Sequence, residues 1–272
     1  MNQLVIRTLT GVIIVLLIIV SIVFNPVVFE TFFMIVVILG LWEFYSLLEK
    51  TGVKIFKFSG TLLGLSIFIS NAIVALNWLS PKILLTNFIF VFLIYVLAVY
   101  RKYPEPFTTL AYTFLGIIYI AIPFSLISYM PNPSLVPGNY QYSHVLGFFI
   151  FNWVNDSGAY LVGSKFGKHR LFERISPGKT WEGLFGGIVF TLLSAWLLSL
   201  FFIDLILIQW IGMAVIVIFF STYGDLLESV LKRSINKKDS GSLLPGHGGI
   251  LDRFDGVLVS APFVFVYLVL IA

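Results

Sequence analysis

The stretch from Gly224 to Asp255 reads GDLLESVLKRSINKKDSGSLLPGHGGILDRFD, and long apolar runs flank it on both sides. From Asp225 onward it holds five carboxylates (Asp225, Glu228, Asp239, Asp252, Asp255) and five fixed cations (Lys232, Arg233, Lys237, Lys238, Arg253). His247 lies among Gly241, Gly246, Gly248 and Gly249. A soluble surface loop carries such charge for solubility alone, whereas a loop between membrane spans can be shorter and plainer. Acids of the metal-ligand type, cations suited to phosphate and backbone bared by glycine together indicate that charged oxygens are handled here.

The surrounding chain decides the solvent. It is 59% hydrophobic and 11% charged, with a mean hydropathy of +1.01. Ordinary soluble domains carry about 25% charged residues, and a globular fold cannot hide this much apolar surface. Lipid must therefore cover most of it, which predicts an all-α polytopic membrane protein. With no cysteine, disulfides and thiolate metal sites are excluded and the redox compartment stays open.

Working outward, apolar runs of about 20 residues predict nine spans, at roughly 9–24, 27–48, 58–79, 83–100, 108–130, 145–165, 183–203, 205–226 and 255–272. The first imitates a signal peptide after Arg7, but NPVVFE follows with no small-residue cleavage site, so it reads as a retained helix. Pro123 predicts a kink in the fifth. With a cytoplasmic amino terminus and nine crossings, 16 of the 17 Lys and Arg fall on the cytoplasmic side and only Lys82 lies opposite. All six aspartates lie between Asp156 and Asp255, while the first half carries only Glu30, Glu43, Glu49 and Glu105. Residues 1–144 are thus expected to anchor and pack, and residues 145–272 to carry the chemistry on two cytoplasmic polar loops.

The first of those loops, from Asn155 to Gly183, reads NDSGAYLVGSKFGKHRLFERISPGKTWEG. Asn155 and Asp156 sit inside the sixth span, where an ionisable group costs a few kcal/mol unless it is paired or wet. The plain reading is a carboxylate neutralised by a neighbouring helix; its place near the cytoplasmic end, close to many cations, favours function. Lys168 and Arg170 divide evenly between a topology signal facing anionic lipid and a functional role. In Ser176-Pro177-Gly178-Lys179-Thr180 the Pro and Gly predict a turn, with Lys179 and Thr180 starting the next helix, a place that suits phosphate. It lacks the Walker spacing.

In the second loop, Asp225, Glu228 and Lys232 share a helical face, and Glu228 reads best as an i,i+4 partner of Lys232. Asp252 and Asp255 enter the last helix three residues apart. Capping explains one of them, Asp252 near the N-cap and Asp255 in the first turn. Two of them after His-Gly-Gly, with Asp225, favour a hard cation such as Mg²⁺ held by carboxylates, substrate phosphates and water. His247 is a ligand, a phosphate donor or a loop-fixing group. Zinc spacing and a serine-hydrolase elbow are both missing.

These two stretches together resemble the phosphatidate cytidylyltransferases, also called CDP-diacylglycerol synthases. The likeness rests on S-x-x-K-R-x-x-x-x-K-D-x-G-x-x-x-P-G-H-G-G-x-x-D-R-x-D from Ser229, with the Asn155–Gly183 stretch upstream. It implies that CTP and phosphatidic acid give CDP-diacylglycerol and pyrophosphate in phospholipid biosynthesis. It implies Mg²⁺, a second cation such as K⁺, a homodimer and no nucleic-acid partner. Carried onto this sequence, Asp225, Asp252, Asp255 and Asp156 become metal ligands, and Asp225, Asp252, Asp255 and Lys179 the catalytic set. Asn155, Asp156, Ser176, Lys179, Thr180, Lys232, Arg233, Lys237, Asp239, His247, Gly248, Gly249 and Arg253 become substrate-binding. The implied location is the inner membrane, multi-pass, with the site facing the cytoplasm. Rival readings are a CTP-dependent lipid kinase, a cytidylyltransferase for another lipid phosphate, and an ion or phosphate transporter, which intramembrane carboxylates would also serve.

Overall fold

The computed structural model describes residues 3–235, 241 and 248–272, with side chains from residue 9 onward. The protein is a helical, polytopic membrane protein. Helices α1 (Gln3–Phe24), α2 (Pro26–Glu49) and α3 (Lys57–Ala75) come first. A 3₁₀ turn, Pro81–Thr86, leads into α4 (Asn87–Tyr100). Next are α5 (Pro106–Gly116) and α6 (Ile122–Ile127), joined without a break through a wider π turn, Ile117–Ala121. Then come α7 (Tyr142–Phe166), a hairpin of β1 (Arg170–Phe172) and β2 (Ser176–Thr180), α8 (Trp181–Phe201), α9 (Leu207–Ser234) and α10 (Leu251–Ile271).

Each of the nine expected segments is helical. Among the described residues seven helices are long and apolar enough to cross a membrane. The two outside that set are α1, described as an apolar run over Leu9–Phe24, and α7, which Asn152, Asn155, Asp156 and Ser157 make polar. Some boundaries differ from expectation. The third segment stops at Ala75 rather than 79, and the eighth runs on to Ser234 rather than 226. Charged Asp225, Glu228, Lys232 and Arg233 prolong α9 because i,i+4 pairing supports a helix beyond its apolar part. At Pro123, where a kink is expected, the helix carries a π turn just upstream. Proline has no N–H to donate and its ring crowds the preceding turn, so the ladder widens there.

The chain forms two compact units. The first joins Met1–Asn139 with Asp239–Phe254. Asn25 starts its α2 by accepting from the Val27 N–H at 2.8 Å, with Pro26 next. Phe29, Phe33, Phe44, Phe68 and Phe124 are buried in its core. Tyr45, also buried, donates from its hydroxyl to the Thr113 carbonyl at 2.7 Å. The ring of Phe254 meets those of Phe124, centroids 5.4 Å apart, and Phe33, at 6.5 Å.

The second unit joins Tyr140–Lys238 with Asp255–Ala272. Here α7 and α8 approach backbone to backbone, as small residues permit in membranes: a Cβ at Gly186 would stand 3.0 Å from the Gly158 carbonyl oxygen. Helices α9 and α10 do the same, since a Cβ at Gly224 would lie 2.5 Å from the Asp255 carbonyl oxygen.

Candidate active site

In the second unit Asp204 meets Ser143 at the start of α7, and the charged side chains of the site lie on the α7–α8 connection and at the helix ends beside it. The connection from α7 to α8 is not the turn expected at Pro177-Gly178. Ser176–Thr180 is a strand, antiparallel to Arg170–Phe172, and Glu173–Ile175 make the turn. Proline and glycine are tolerated here because this two-stranded ribbon has only edge strands. Thr180 ends the ribbon and caps α8, its Oγ1 accepting from the Gly183 N–H at 3.1 Å. Glu182 holds the base of the ribbon. Its Oε2 accepts from the backbone N–H groups of Lys168 (3.1 Å) and His169 (3.2 Å), and its Oε1 meets His169 Nδ1 at 2.6 Å.

A cavity of about 530 Å³ opens beside this ribbon. Its lining includes Asn155, Asp156, Tyr160 and Ser164 of α7, Arg170 and Lys179 of the ribbon, Thr180, and Thr222 and Asp225 of α9. Lys179 Nζ is ion-paired with Asp225 Oδ2. Asn155 is 4% exposed, and its Oδ1 has no hydrogen-bond partner. A buried amide oxygen left unpaired is costly, so it marks a place where a ligand donor or water belongs. The volume lies within the usual range of small-ligand pockets, about 300–1,000 Å³.

Acids crowd this site. Asp255 on α10 senses the negative charges of Asp225, Glu228 and Asp156. It accepts from the Gly256 N–H at 2.8 Å, and among the described residues it has no cationic partner. Lys232 pairs with the buried Glu228 at 2.6 Å, the i,i+4 contact expected of that pair. Among the described residues no three acids are gathered as a finished ligand set. Even so, an acid facing three others without a counter-cation fits a hard divalent ion in its donor chemistry.

Of the other expected site residues, Ser176 is on β2 outside the cavity lining, and Arg233 and Arg253 are exposed. Asp252 stands near the N-cap, as expected, and Asp255 falls beyond the first turn. Helix α10 begins at Leu251, so Asp252 stands inside its first turn and reaches back, Oδ2 accepting from the Gly249 N–H at 2.8 Å. Gly248 takes a φ of +78°, which a side chain at that position would strain. Lys237, Asp239 and His247 lie outside the described residues. Glu182, Tyr160 and Thr222 were not anticipated. An acid in the first turn after a capping threonine was the one available signal, and it announces only Glu182.

The fold and cavity define a class, a membrane-embedded enzyme with acids and cations arranged for phosphates. The profile of the cytidylyltransferase family matches residues 5–271, and the chain belongs to that family. It is 32% identical over 270 residues to a phosphatidate cytidylyltransferase of Staphylococcus haemolyticus (strain JCSC1435), covering 97% of this chain and 98% of the relative. It is likewise 32% identical over 271 residues to one of Staphylococcus aureus (strain COL), with the same coverage. It is 45% identical to one of Bacillus subtilis (strain 168) over 134 residues, 48% of this chain and 49% of the relative. The protein is thus a nucleotidyltransferase of phospholipid biosynthesis.

Proposed function

We propose that the protein transfers the cytidylyl group of CTP to phosphatidic acid, releasing pyrophosphate and leaving CDP-diacylglycerol in the bilayer, with the site on the cytoplasmic face of a bacterial inner membrane. The observation that carries this reading is the cavity lined by Lys179, Arg170, Asn155, Asp225 and Asp156. The relatives, named phosphatidate cytidylyltransferases, support phosphatidate as the acceptor. The near-exclusive placement of Lys and Arg on one predicted side supports the orientation.

A phosphate oxygen of the lipid forms a bond to the α-phosphorus of CTP, and the bond from that phosphorus to the bridging oxygen breaks as pyrophosphate leaves. Positioning and charge stabilisation supply the catalysis. Asp255, Asp225 and Asp156 would hold Mg²⁺, and Asp252 keeps the ligand role that the resemblance implies. When bound, that ion neutralises phosphate charge and polarises the reacting phosphorus. Lys179 exchanges its carboxylate partner for phosphate oxygens as substrate enters, and Arg170 adds a second cation. Asn155 Oδ1 accepts a hydrogen bond from the nucleotide. Lys232, Arg233, Lys237, Arg253, Ser176, Asp239, His247, Gly248 and Gly249 keep the substrate-binding roles that the resemblance implies. A monovalent second cation and a homodimer complete the proposal.

The test is to incubate purified protein with phosphatidic acid, Mg²⁺ and each nucleoside triphosphate in turn, measuring pyrophosphate and liponucleotide. Pyrophosphate and CDP-lipid from CTP alone is the expected result. Release of CDP instead of pyrophosphate would make the protein a lipid kinase, and phosphate uptake into proteoliposomes without nucleotide would make it a transporter.

A further inference from the structure

We propose that Glu43, in the amino-terminal half of the chain, is a positioning residue for the acidic end of α10; this rests on the cytidylyl-transfer reading above. Glu43 lies in the last third of α2 and is only 4% exposed. A carboxylate buried in a membrane helix is costly unless its oxygens are satisfied. Both oxygens are satisfied by backbone. Oε2 accepts from the Ile250 N–H at 2.9 Å and Oε1 from the Leu251 N–H at 3.1 Å. Those amides belong to the start of α10, where no carbonyl of the helix itself can serve them. The negative charge also faces the positive end of the helix dipole.

The two bonds span 207 and 208 residues of sequence. They act as a fork, because one rigid carboxylate holds two successive N–H groups and thereby fixes both the height and the rotation of the first turn. Two further contacts point the same way. A Cβ at Gly241 would stand 2.8 Å from Glu43 Oε2, so the chain passes over the carboxylate with no room for a methyl group. Phe254, three residues beyond Leu251, is seated between Phe33 and Phe124. Asp252 and Asp255 project from the turn held in this way, so a slide or rotation of it displaces both carboxylates. Glu43 touches no reacting atom in this account. It acts through α10, as groups behind metal ligands do.

Two variants test the proposal, each with two readouts. Glu43→Gln keeps the shape but leaves one acceptor oxygen for two N–H groups. Gly241→Ala keeps every polar group and pushes the carboxylate aside. The first readout is hydrogen exchange of the amides at 250 and 251, without metal or nucleotide. The second is the Mg²⁺ concentration giving half-maximal CDP-lipid formation. Both variants are expected to exchange faster at these amides and to need about 10-fold more Mg²⁺, the lower end of what loss of a supporting group costs. A lower maximal rate at an unchanged Mg²⁺ requirement would mean that Glu43 merely holds the fold, and would overturn the proposal. Unchanged exchange would overturn it too. If Glu43→Gln does not fold, Gly241→Ala carries both readouts. If the unmodified protein makes no CDP-lipid, the reaction reading fails, and the exchange readout still decides whether Glu43 holds α10.

Discussion

Lys179 on β2 and Asp225 on α9, 46 residues apart in sequence, are joined as an ion pair in the lining of one cavity. The pair keeps a cation and an acid ready at the place proposed for the triphosphate, each neutralising the other until substrate arrives. Lys179→Ala leaves Asp225 uncompensated and removes a donor for phosphate. The rate of CDP-lipid formation should fall by about 10²–10³, the usual loss when one stabiliser of developing charge is removed. Both side chains are mostly buried, 27% and 21% exposed, so leaving Asp225 unpaired should also lower thermal stability, by about 1–3 kcal/mol. Steady-state rates and a detergent melting curve check the two halves.

Asp255, near the start of α10, accepts from the Gly256 N–H at 2.8 Å and is one of the acids proposed for the ion site. Asp255→Asn keeps the size and that acceptor while removing the carboxylate. Turnover with Mg²⁺ should vanish. An active Asp255→Asn protein would take Asp255 out of the proposed ion site.

Much of this architecture was legible because hydropathy reports the solvent of each segment directly. All nine expected apolar runs are helices, and Glu228–Lys232 followed from i,i+4 spacing on one of them. What escaped notice depends on partners distant along the chain. The link from Glu43 to the amides of Ile250 and Leu251 is invisible in sequence, because every amide looks alike and the partner lies about 200 residues away. Ser176–Thr180 was misread because Pro-Gly signals a turn by local preference, whereas pairing with Arg170–Phe172 keeps it extended. Asp255 falls beyond the first turn rather than in it because α10 gains a turn before its apolar part, held by amides that Glu43 satisfies.

The approach of α9 to α10 at Gly224 leaves no room for a side chain. A methyl group there would meet the Asp255 carbonyl oxygen at 2.5 Å and the Gly256 Cα at 2.9 Å, and backbone does not yield as a flexible side chain does. Gly224→Ala should therefore cost at least about 1–3 kcal/mol, the usual penalty of overpacking. Activity should fall with it, because the helices being forced apart carry Asp225 and Asp255. Gly178→Ala is the control, since a Cβ there would meet nothing within 4 Å. The two melting curves, measured together, separate packing from a general intolerance of alanine.

Glu182 offers a way to disturb the ribbon without disturbing the membrane core. It is the acid that gathers the backbone N–H groups of Lys168 and His169 and the His169 ring, and the Trp181 N–H donates to the His169 carbonyl at 3.0 Å to close the same base. Glu182→Ala removes the carboxylate and leaves the Thr180 cap of α8 in place. The ribbon should then swing more freely, and with it Arg170 and Lys179, which line the cavity. Trypsin reads this directly, because Lys168, Arg170 and Arg174 are exposed on the ribbon or at its base and a looser backbone enters a protease more readily. Cleavage between 168 and 175 should speed up while the melting temperature scarcely moves. The KM for CTP should rise by about tenfold, short of the ~10²-fold that an ångström of misplacement costs. A variant cut no faster than the parent, yet weaker for CTP, would mean that Glu182 meets the nucleotide itself rather than holding the strand that does.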